Sequence, residues 1–396
     1  EEPESLPAKL PVILLLGAEG IAVGMSTRIL PHNFGELLAA QIRILENEPM
    51  ELFPDFRTGG IVDVSEYDDG NGRVRVRARI EKKDSKTVTI REIAYGTTTE
   101  GVIASMEAAA QKGKVKIGAI NDFTTESVEI EVGLARGVYA DEVIPQLYAH
   151  TDCEVSVSCN MVMIKDRQPV EMSVSEVLCS LTDQLRGLIK AELELERDLL
   201  LDKKHWLDLE RIFIENRIYK RIEEAETEEQ VHSEVRDGLA PHLKELKRAV
   251  ADDDIARLLG IPIRRISRFD IEKNRKDIDT TVKALKQVRA KLRKLTPTTI
   301  AYLEHLIETY GKRFPRRSEI STFETVDVRA VSRHNLRVSY DSKTGFFGTA
   351  VKGDRHQLDV SEYDKILLVS RDGSYRITGP EDKVLIPQVI YCKVFD

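Results

Sequence analysis

The spacing of hydrophobic residues changes twice along the chain. Up to about residue 172, alternating runs lie among stretches with a period of about 3.6, which predicts short strands mixed with helices. From about residue 173 to residue 320, apolar residues recur at alternating steps of four and three, as in long packed helices. From residue 321 onward, short alternating runs are separated by turn residues. The pattern therefore predicts a multidomain α+β protein with a helical middle and an all-β end.

The first part is predicted to contain helices capped by polar residues and strands bounded by glycine or proline. The predicted elements are an apolar strand over residues 11–16, helices over 34–47, 98–112 and 140–150, strands over 117–120 and 128–132, and a hairpin turning at Asp166 and Arg167. Thr98 or Thr99 is the expected N-cap of the second helix, because its hydroxyl can accept from a free backbone N–H.

One predicted strand in this part carries four arginines at every second position. Arg73, Arg75, Arg77 and Arg79 alternate with Val74, Val76, Ala78 and Ile80. A period of two places the guanidinium groups on one face of a single strand and the apolar groups on the other. Two interpretations stay open. The face either is solvated and paired with Glu81, Asp84 and Glu92, or it binds a polyanion such as a DNA backbone, with counterion release.

The middle part is predicted to form a long antiparallel coiled coil with a helical insertion. The first apolar seam comprises Val174, Leu178, Leu181, Leu185, Leu188, Leu195 and Leu199. The second comprises Ile278, Val282, Leu285, Val288, Leu292 and Leu295, on a helix starting near Ile271. Between them, a knob of about residues 206–269 should contain helices over 206–225, 228–238 and 241–251, and one over 255–259 capped by Asp252 to Asp254. A last helix is expected from Thr296 to Gly311.

Composition limits the class of protein. The net charge of −8 excludes a protein that is basic all over, but local clusters of Lys and Arg can still bind DNA. The longest apolar run, residues 10–16, is too short to cross a membrane, and no signal peptide is expected at the start. Four cysteines without a C-x-x-C pair indicate neither a zinc site nor a disulfide framework, which suits the cytoplasm.

The glycine-rich stretch over residues 10–33 reads LPVILLLGAEGIAVGMSTRILPHN. Its spacing fits neither G-x-G-x-x-G nor the phosphate-binding G-x-x-x-x-G-K-[ST] loop, no lysine follows the glycines, and Pro31 prevents a helix from opening directly after them. A nucleotide site is therefore not predicted. From the pattern alone, Ile21, Val23 and Met25 are expected to alternate on a buried strand.

The segment GIAVGMSTRILPHN closely resembles the junction of the winged-helix and tower domains in the A subunit of bacterial type IIA topoisomerases, DNA gyrase and topoisomerase IV. The segments PDFRTGG, GTTTEGVIASM, YAHTDCEVSVSCNMV and YGKRFPRRSEI also resemble that family. The resemblance implies a tower domain over residues 1–172 and a coiled-coil and C-gate domain over 173–320. It also implies the beginning of a C-terminal β-pinwheel over 321–396.

The resemblance also implies roles for individual residues. Ile21 matches the isoleucine that the family inserts between base pairs. The expected DNA-binding residues are Ile21, Ser26, Thr27, Arg28, Arg73, Arg75, Arg77 and Arg79, and the expected C-gate dimer contacts are Leu258, Leu259, Ile261 and Ile263. The family cuts DNA with a tyrosine that follows an arginine, and none of the eleven tyrosines here does so. We therefore expect no catalytic residue and no metal site in this chain, with Mg²⁺ and ATP on the partner B subunit.

The resulting hypothesis is the DNA-binding, DNA-bending and exit-gate part of a type IIA topoisomerase A subunit, inactive alone. Such an enzyme passes one duplex through a transient double-strand break and uses ATP together with its B subunit. The expected partners are double-stranded DNA, a second copy of the chain and the B subunit in an A2B2 complex, in the bacterial cytoplasm at the nucleoid and away from membranes. Two alternatives are a non-cleaving architectural DNA-binding dimer and a coiled-coil scaffold without a DNA role. The sequence does not separate gyrase from topoisomerase IV.

Overall fold

A computed structural model of the protein describes residues 7–165, 167–262, 268–323, 336–361 and 364–395. The chain forms two compact units. The first comprises residues 1–11, 38–50 and 178–312, and the second comprises residues 12–37, 51–177 and 313–396. In the described part of the chain, every helix is too short or too polar to traverse a lipid bilayer.

The α-helices are α1 Val12–Leu16, α2 Phe34–Glu46, α3 Thr99–Gln111, α4 Ala140–His150, α5 Val174–Glu215, α6 Glu228–Leu239, α7 Asp252–Leu259, α8 Arg268–Arg293 and α9 Leu295–Tyr310. Short 3₁₀ segments lie at Asp68–Gly70, Ile218–Glu224, Ala240–Glu245 and Gly311–Arg313. The predicted helices 34–47, 98–112 and 140–150 are confirmed by α2, α3 and α4. The hydroxyl of Thr98 caps α3 by accepting from the backbone N–H of Gly101 at 3.1 Å.

The strands are β1 Ala18–Ala22, β2 Met25–Ile29, β3 Ile61–Asp63, β4 Arg73–Arg77, β5 Arg79–Asp84, β6 Thr87–Glu92, β7 Ile117–Asp122, β8 Ile130–Leu134, β9 Glu154–Ser158, β10 Val162–Lys165, β11 Gln168–Glu171, β12 Glu319–Ile320, β13 Leu336–Tyr340, β14 Phe346–Gly348, β15 Arg355–Val360, β16 Lys365–Ser370, β17 Tyr375–Thr378, β18 Val384–Leu385 and β19 Val389–Phe395. The predicted strands 117–120 and 128–132 correspond to β7 and β8. The predicted hairpin is β10–β11, in which Lys165 pairs with Gln168. Asp166 itself lies outside the described residues.

The described strands form six sheets. Two of them, with strand orders β12-β3-β4-β9 and β5-β6-β8-β7, organise the second unit. Helices α3 and α4 cover the β5-β6-β8-β7 sheet, and Ile90, Val102, Met106 and Leu147 are fully buried between them. The apolar residues of α3 recur three and four positions apart, so one face of the helix packs on the sheet.

The apolar run over residues 11–16 does not form the predicted strand. Residues 12–16 form the short helix α1, in which Leu14 is buried. Its side chains show no alternation between two faces, and a strand here would need a partner strand for its backbone. The carbonyl of Leu14 instead accepts a hydrogen bond from the backbone N–H of His32 at 2.9 Å.

The long helix of the middle part is confirmed and is longer than predicted. Helix α5 runs without interruption for 42 residues and absorbs the start of the predicted helix 206–225. It ends before Arg217, which has φ 54°, and a 3₁₀ segment follows. The predicted helix 241–251 is also wrong. Only the 3₁₀ segment forms there, because Leu246 is extended, with ψ 140°, and packs against the core of the knob.

The predicted seam of the coiled coil is correct only in its first half. Leu178 and Leu185 are buried, but Leu195 and Leu199 are 63% and 61% exposed. The buried positions continue instead through Ile189 and Leu193 in steps of four. A straight helix of 3.6 residues per turn drifts away from a heptad repeat in this way. On α8, similarly, the predicted Val282 is exposed, whereas Leu285 and Val288 are buried.

The remaining predictions for the helical part are mostly confirmed. Helix α9 begins at Leu295 and is followed by Gly311. Helix α7 begins at Asp252, and the carboxylate of Asp254 accepts from the backbone N–H of Ala251 at 3.0 Å, so these acids do serve the helix start. The C-terminal part of α5 lies beside the N-terminal part of α8, where the amide of Asn274 donates to Glu210 at 3.0 Å.

The all-β prediction for the end of the chain is confirmed for its described residues. Strands β13 to β19 form two sheets around a core that includes Val338, Phe347, Ile366 and Leu368, all fully buried. The β-pinwheel stays a prediction.

Candidate nucleic-acid interface

Strands β1 and β2 form a separate two-stranded hairpin. Ala22 pairs with Met25, so Val23 and Gly24 make a two-residue turn, and Gly24 has φ 76°, a conformation that favours glycine. Ile21, Val23 and Met25 are 88%, 101% and 47% exposed. The prediction of one buried strand over these residues is therefore wrong, because the chain turns at Val23 and Gly24 and the side chains of the hairpin tip are exposed.

The base of this hairpin is attached to the chain segment before β10. The backbone N–H of Arg28 donates to the carbonyl of Asn160 at 2.8 Å, and the N–H of Asn160 donates back to Arg28 at 3.2 Å. The hydroxyl of Thr27 accepts from the N–H of Val162 at 3.2 Å, and the Asn160 amide donates to the carbonyl of Ser26 at 2.5 Å. The carbonyl of Ser26, the hydroxyl of Thr27 and the backbone of Arg28 therefore anchor β2 to the segment around Asn160.

Cross-strand pairing decides which side chains share a face with Ile21. Ile21 pairs with Ser26 and Glu19 pairs with Arg28, so these four side chains point to one side. Arg28 forms an exposed ion pair with Glu19 at 3.0 Å. An apolar tip with an exposed cation behind it on the same face can enter a minor groove and leave the cation beside a phosphate.

A second exposed isoleucine lies on the neighbouring hairpin β10–β11. Ile164 is 83% exposed and pairs with Pro169. The sequence predicted this hairpin, but it did not predict that Ile164 is exposed. Pro169, opposite Ile164, could have indicated the exposure, because a proline within a strand marks an edge strand.

The four arginines of the alternating pattern do not lie on one strand. Strand β4 ends at Arg77 and β5 begins at Arg79, and the two strands belong to different sheets. The apolar side of the pattern is confirmed, since Val74, Val76 and Ala78 are fully buried. The chain changes sheets at Ala78, whose backbone N–H donates to the carbonyl of Cys153.

Each of these arginines contacts at least one carboxylate. The ion pairs are Arg73 with Glu66, Arg75 with Asp63 at 2.6 Å, Arg77 with Glu154 at 2.6 Å, and Arg79 with Glu92 and Glu319, each at 3.0 Å. Glu92 was among the anticipated partners, whereas Glu81 pairs with Arg91 instead. Burial acts to raise the pKa of Asp63, but hydrogen bonds from Ser65, Phe323 and Arg75 outweigh it and hold this pKa well below its usual range.

The chain segment after α9 covers the two central arginines. Strand β12 pairs with β3, and the ring of Phe323 lies 4.1 Å from the Arg77 guanidinium and 5.4 Å from that of Arg75. The N–H of Phe323 donates to Asp63 at 3.0 Å. The Arg77 side chain is only 13% exposed and that of Arg75 29%, whereas Arg73 is 56% exposed. Arg75 and Arg77 therefore hold this segment. Arg73 is the most exposed of the four arginines.

The PHN residues that end the glycine-rich stretch have structural roles. Asn33 caps α2, because its side-chain oxygen accepts from the N–H of Gly35 at 2.9 Å. His32 is buried between the carbonyl of Leu14, 3.2 Å from Nδ1, and the hydroxyl of Tyr67, 2.9 Å from Nε2. Since a carbonyl only accepts, Nδ1 must donate and Nε2 must accept from Tyr67. Burial lowers the pKa of His32 to about 4.

This buried histidine predicts a pH dependence of stability. The unfolded chain takes up the proton near pH 6.5, before the folded chain does, so stability is complete above that pH and falls as the pH drops toward 4. Between pH 7 and pH 4.5 we expect His32 to account for a loss of about 2 kcal/mol. The H32Q variant should be less stable at pH 7 but should lack this part of the loss in urea unfolding at the two pH values. Equal losses in variant and wild type would contradict the assignment.

A model of the DNA gyrase/topoisomerase IV A-subunit family matches residues 1–305. The chain belongs to this A-subunit family. The DNA topoisomerase 4 A subunit of Borreliella burgdorferi is 43% identical over 391 residues, covering 99% of this chain and 62% of that protein. The DNA gyrase A subunit of Lawsonia intracellularis is 34% identical over 210 residues, covering 48% of this chain and 25% of that protein. The chain therefore spans less than two thirds of the length of these relatives.

One expected dimer contact of this A-subunit chain is not accessible. Leu258 is 1% exposed and lies in the core of the knob with Leu209, Ile212 and Ile255. Its prediction as an exposed contact is wrong, because α7 turns this residue toward its own unit. Leu259 and Ile261 are partly buried against the same core, and Ile263 lies outside the described residues. Leu243, which was not predicted, is 47% exposed.

Proposed function

We propose that this chain is the DNA-binding, DNA-bending and exit-gate part of a type IIA topoisomerase A subunit, which passes one duplex through a transient double-strand break. The observation that carries the proposal is the β1–β2 hairpin, which presents Ile21 and Val23 at 88% and 101% exposure. Adjacent large apolar side chains exposed on an anchored tip are typical of a surface that a partner covers. Membership in the A-subunit family makes duplex DNA the partner that we propose.

In this proposal Ile21 enters a base-pair step from the minor groove. Unstacking one step costs on the order of a few kcal/mol, and the bent duplex then contacts more of the protein. The hydrogen bonds of Ser26, Thr27 and Asn160 support this role, because a wedge transmits force only when its base is fixed. Arg28 lies on the same face as Ile21 and is assigned to a nearby phosphate.

The arginines of β4 and β5 divide into two groups. Arg73, at 56% exposure, can exchange its carboxylate partner for a DNA phosphate, and we assign it to the backbone of the bound duplex. Arg79 is only 32% exposed, but its partner Glu319 is 57% exposed, whereas the Asp63 partner of Arg75 is 3% exposed, so we assign Arg79 to the duplex as well. Arg75 and Arg77 are assigned to the attachment of Phe323 and not to DNA. DNA bending therefore belongs to residues 1–172, the coiled coil and C-gate to residues 173–320, and the start of a pinwheel to residues 321–396.

The proposed partners are a second copy of the chain and the B subunit, besides duplex DNA. Two copies of the chain meet through the knob, where Leu259, Ile261 and the exposed Leu243 are the candidate contacts. The B subunit supplies Mg²⁺ and ATP in an A2B2 complex, and the nucleophilic tyrosine comes from outside these 396 residues. We place this complex in the bacterial cytoplasm, at the nucleoid. A non-cleaving architectural dimer would bend DNA through the same hairpin, but it would not assemble with a topoisomerase B subunit.

The experiment that tests the wedge is the I21A variant of the full chain. We expect the bend of a duplex of roughly 30 bp, measured by energy transfer between its labelled ends, to be largely lost. Thermal stability should not change, since Ile21 is 88% exposed. The control is I164A, which removes an isoleucine of 83% exposure from the neighbouring hairpin and should keep the bend. An undiminished bend in I21A would remove the wedge assignment.

A further inference from the structure

The C-terminal half of α8 carries a concentration of positive charge that the functional assignments above do not use. Residues 283–294 contain six lysines and arginines and no acidic residue, in a chain whose net charge is −8. Four of these residues, Lys283, Lys286, Arg289 and Arg293, follow one another at steps of three, three and four. Residues at these spacings lie on one side of a helix. We call these four residues the α8 cationic row.

The α8 cationic row points away from the core of its unit. Thr281, Leu285 and Val288 are buried on the opposite side of the same helix, whereas all four members of the row are exposed. With a rise of about 1.5 Å per residue, the row is about 15 Å long. The phosphates of one DNA strand are spaced by about 3.4 Å along the axis of the duplex, so a row of this length that lies parallel to that axis spans about four of them.

The members of this row differ from the arginines of β4 and β5 in their ion pairing. Within the described residues, none of the four has a carboxylate within ion-pair distance, and the nearest acids in sequence are Asp277 and Asp279. The β4 and β5 arginines face Glu66, Asp63, Glu154, Glu92 and Glu319. Four unpaired like charges in a row repel one another unless an external anion lies along them.

The helix dipole does not account for the whole row. Cations near a helix C-terminus are favourable, but the effect is confined to the last turn. Arg293 and Lys291 lie in that turn of α8, whereas Lys283 lies ten residues, almost three turns, before it. Lys283 and Lys286 therefore need another explanation.

We propose that the α8 cationic row is a second binding surface for duplex DNA, separate from the hairpin wedge, and that it contacts the phosphate backbone without reading sequence. This inference rests on the proposed function, since that function makes duplex DNA the available polyanion. A regular row of exposed cations matches a regular row of phosphates, and no base-specific contact is required.

The test replaces all four members with glutamine, as K283Q, K286Q, R289Q and R293Q, in the full chain. Glutamine favours helices, so α8 should stay folded, and circular dichroism checks this. We expect affinity for a blunt random-sequence duplex at about 100 mM salt to fall at least roughly tenfold. The slope of log K against log salt should become shallower by roughly 3.6, because each of the four lost phosphate contacts contributes about 0.9.

The matched control removes four cations of the same unit that already have carboxylate partners. These are Arg186, Lys190, Arg197 and Arg221, which pair with Asp183, Glu194, Asp198 and Glu234. The corresponding glutamine variant has the same net charge as the test variant. We expect its salt slope to change by less than about 1. If the quadruple test variant does not fold, the two double variants K283Q/K286Q and R289Q/R293Q should each give about half of the effect.

The outcomes separate the two proposals. A wild-type chain without affinity for duplex at low salt would overturn the proposed function itself. A wild-type chain that binds and bends duplex, together with a row variant of unchanged salt slope, would overturn only the second surface. Row-dependent binding to phosphatidylserine vesicles, without row-dependent binding to duplex, would also overturn it.

Discussion

Replacing Arg77 with alanine is expected to lower the free energy of unfolding of the second unit by about 3–5 kcal/mol. The guanidinium of Arg77 is nearly buried and lies 2.6 Å from Glu154, 4.1 Å from the ring of Phe323 and 4.7 Å from that of Tyr148. The Glu154 side chain is 20% exposed and would keep only the longer ion pair with Arg75 at 3.9 Å, so the substitution removes the closest partner of a largely desolvated charge. Removing one partner of such a pair costs far more than an exposed pair contributes.

The matched control for this prediction is R73A, four residues earlier on the same strand. The pair of Arg73 with Glu66 is exposed on both sides, so we expect no measurable change in stability. The measurements are urea unfolding and the salt slope of duplex binding for both variants. The R77A variant should lose stability and keep the salt slope of the wild type. The R73A variant should keep its stability and have a shallower salt slope. A stable R77A variant with a shallower salt slope would return Arg77 to the group of DNA contacts.

Replacing Arg316 with alanine should lower the free energy of unfolding of the second unit by about 3 kcal/mol. Arg316 donates two hydrogen bonds of 2.6 Å to Glu36 and one each to the carbonyls of Pro54 and Phe53, at 3.0 and 3.1 Å. The side chain is 23% exposed, and its loss would leave both carbonyls without this donor. An arginine that binds a carboxylate in a bidentate way is also fixed in orientation, so lysine should restore only part of the stability.

The neighbouring Arg317 provides the control for this second prediction. Its backbone N–H donates to Asp55 at 3.0 Å, but the residue is exposed and no contact of its guanidinium is seen among the described residues. We expect R317A to unfold at the same urea concentration as the wild type. Similar losses of stability in R316A and R317A would show that the charge of this segment, and not the Arg316 contacts, stabilises it.

Both predictions concern the same structural feature, the return of the chain to the second unit after α9. Asp55 accepts from the N–H groups of Arg317 and Ser318, and the Ser318 hydroxyl accepts from the N–H of Phe56. The PDFRTGG segment is therefore the site at which residues 314–320 of the same chain bind.

The candidate site could be predicted only in part. The expectation that Ile21 contacts DNA came from the resemblance of the glycine-rich stretch to the family. The alternating pattern alone predicted one buried strand through Ile21, Val23 and Met25, and neither line of reasoning predicted the β1–β2 hairpin. Alternation reports that one face of a strand is apolar, and it does not report whether another element covers that face. The α8 cationic row was present in the sequence, but only the ion pairs of the folded chain distinguish an unpaired charge from a neutralised one.

The sequence by itself determined most of the local elements, because the periods of 2 and about 3.6 record which side of a strand or helix is apolar. Helices α3, α4 and α5, the β10–β11 hairpin and the all-β end were all readable in this way. Only the tertiary structure decided which charges meet. Arg77 and Glu154 are 77 positions apart, Arg79 and Glu319 are 240 apart, and Arg316 and Glu36 are 280 apart. No local period relates such positions, since it is the packing of distant segments that brings these groups together.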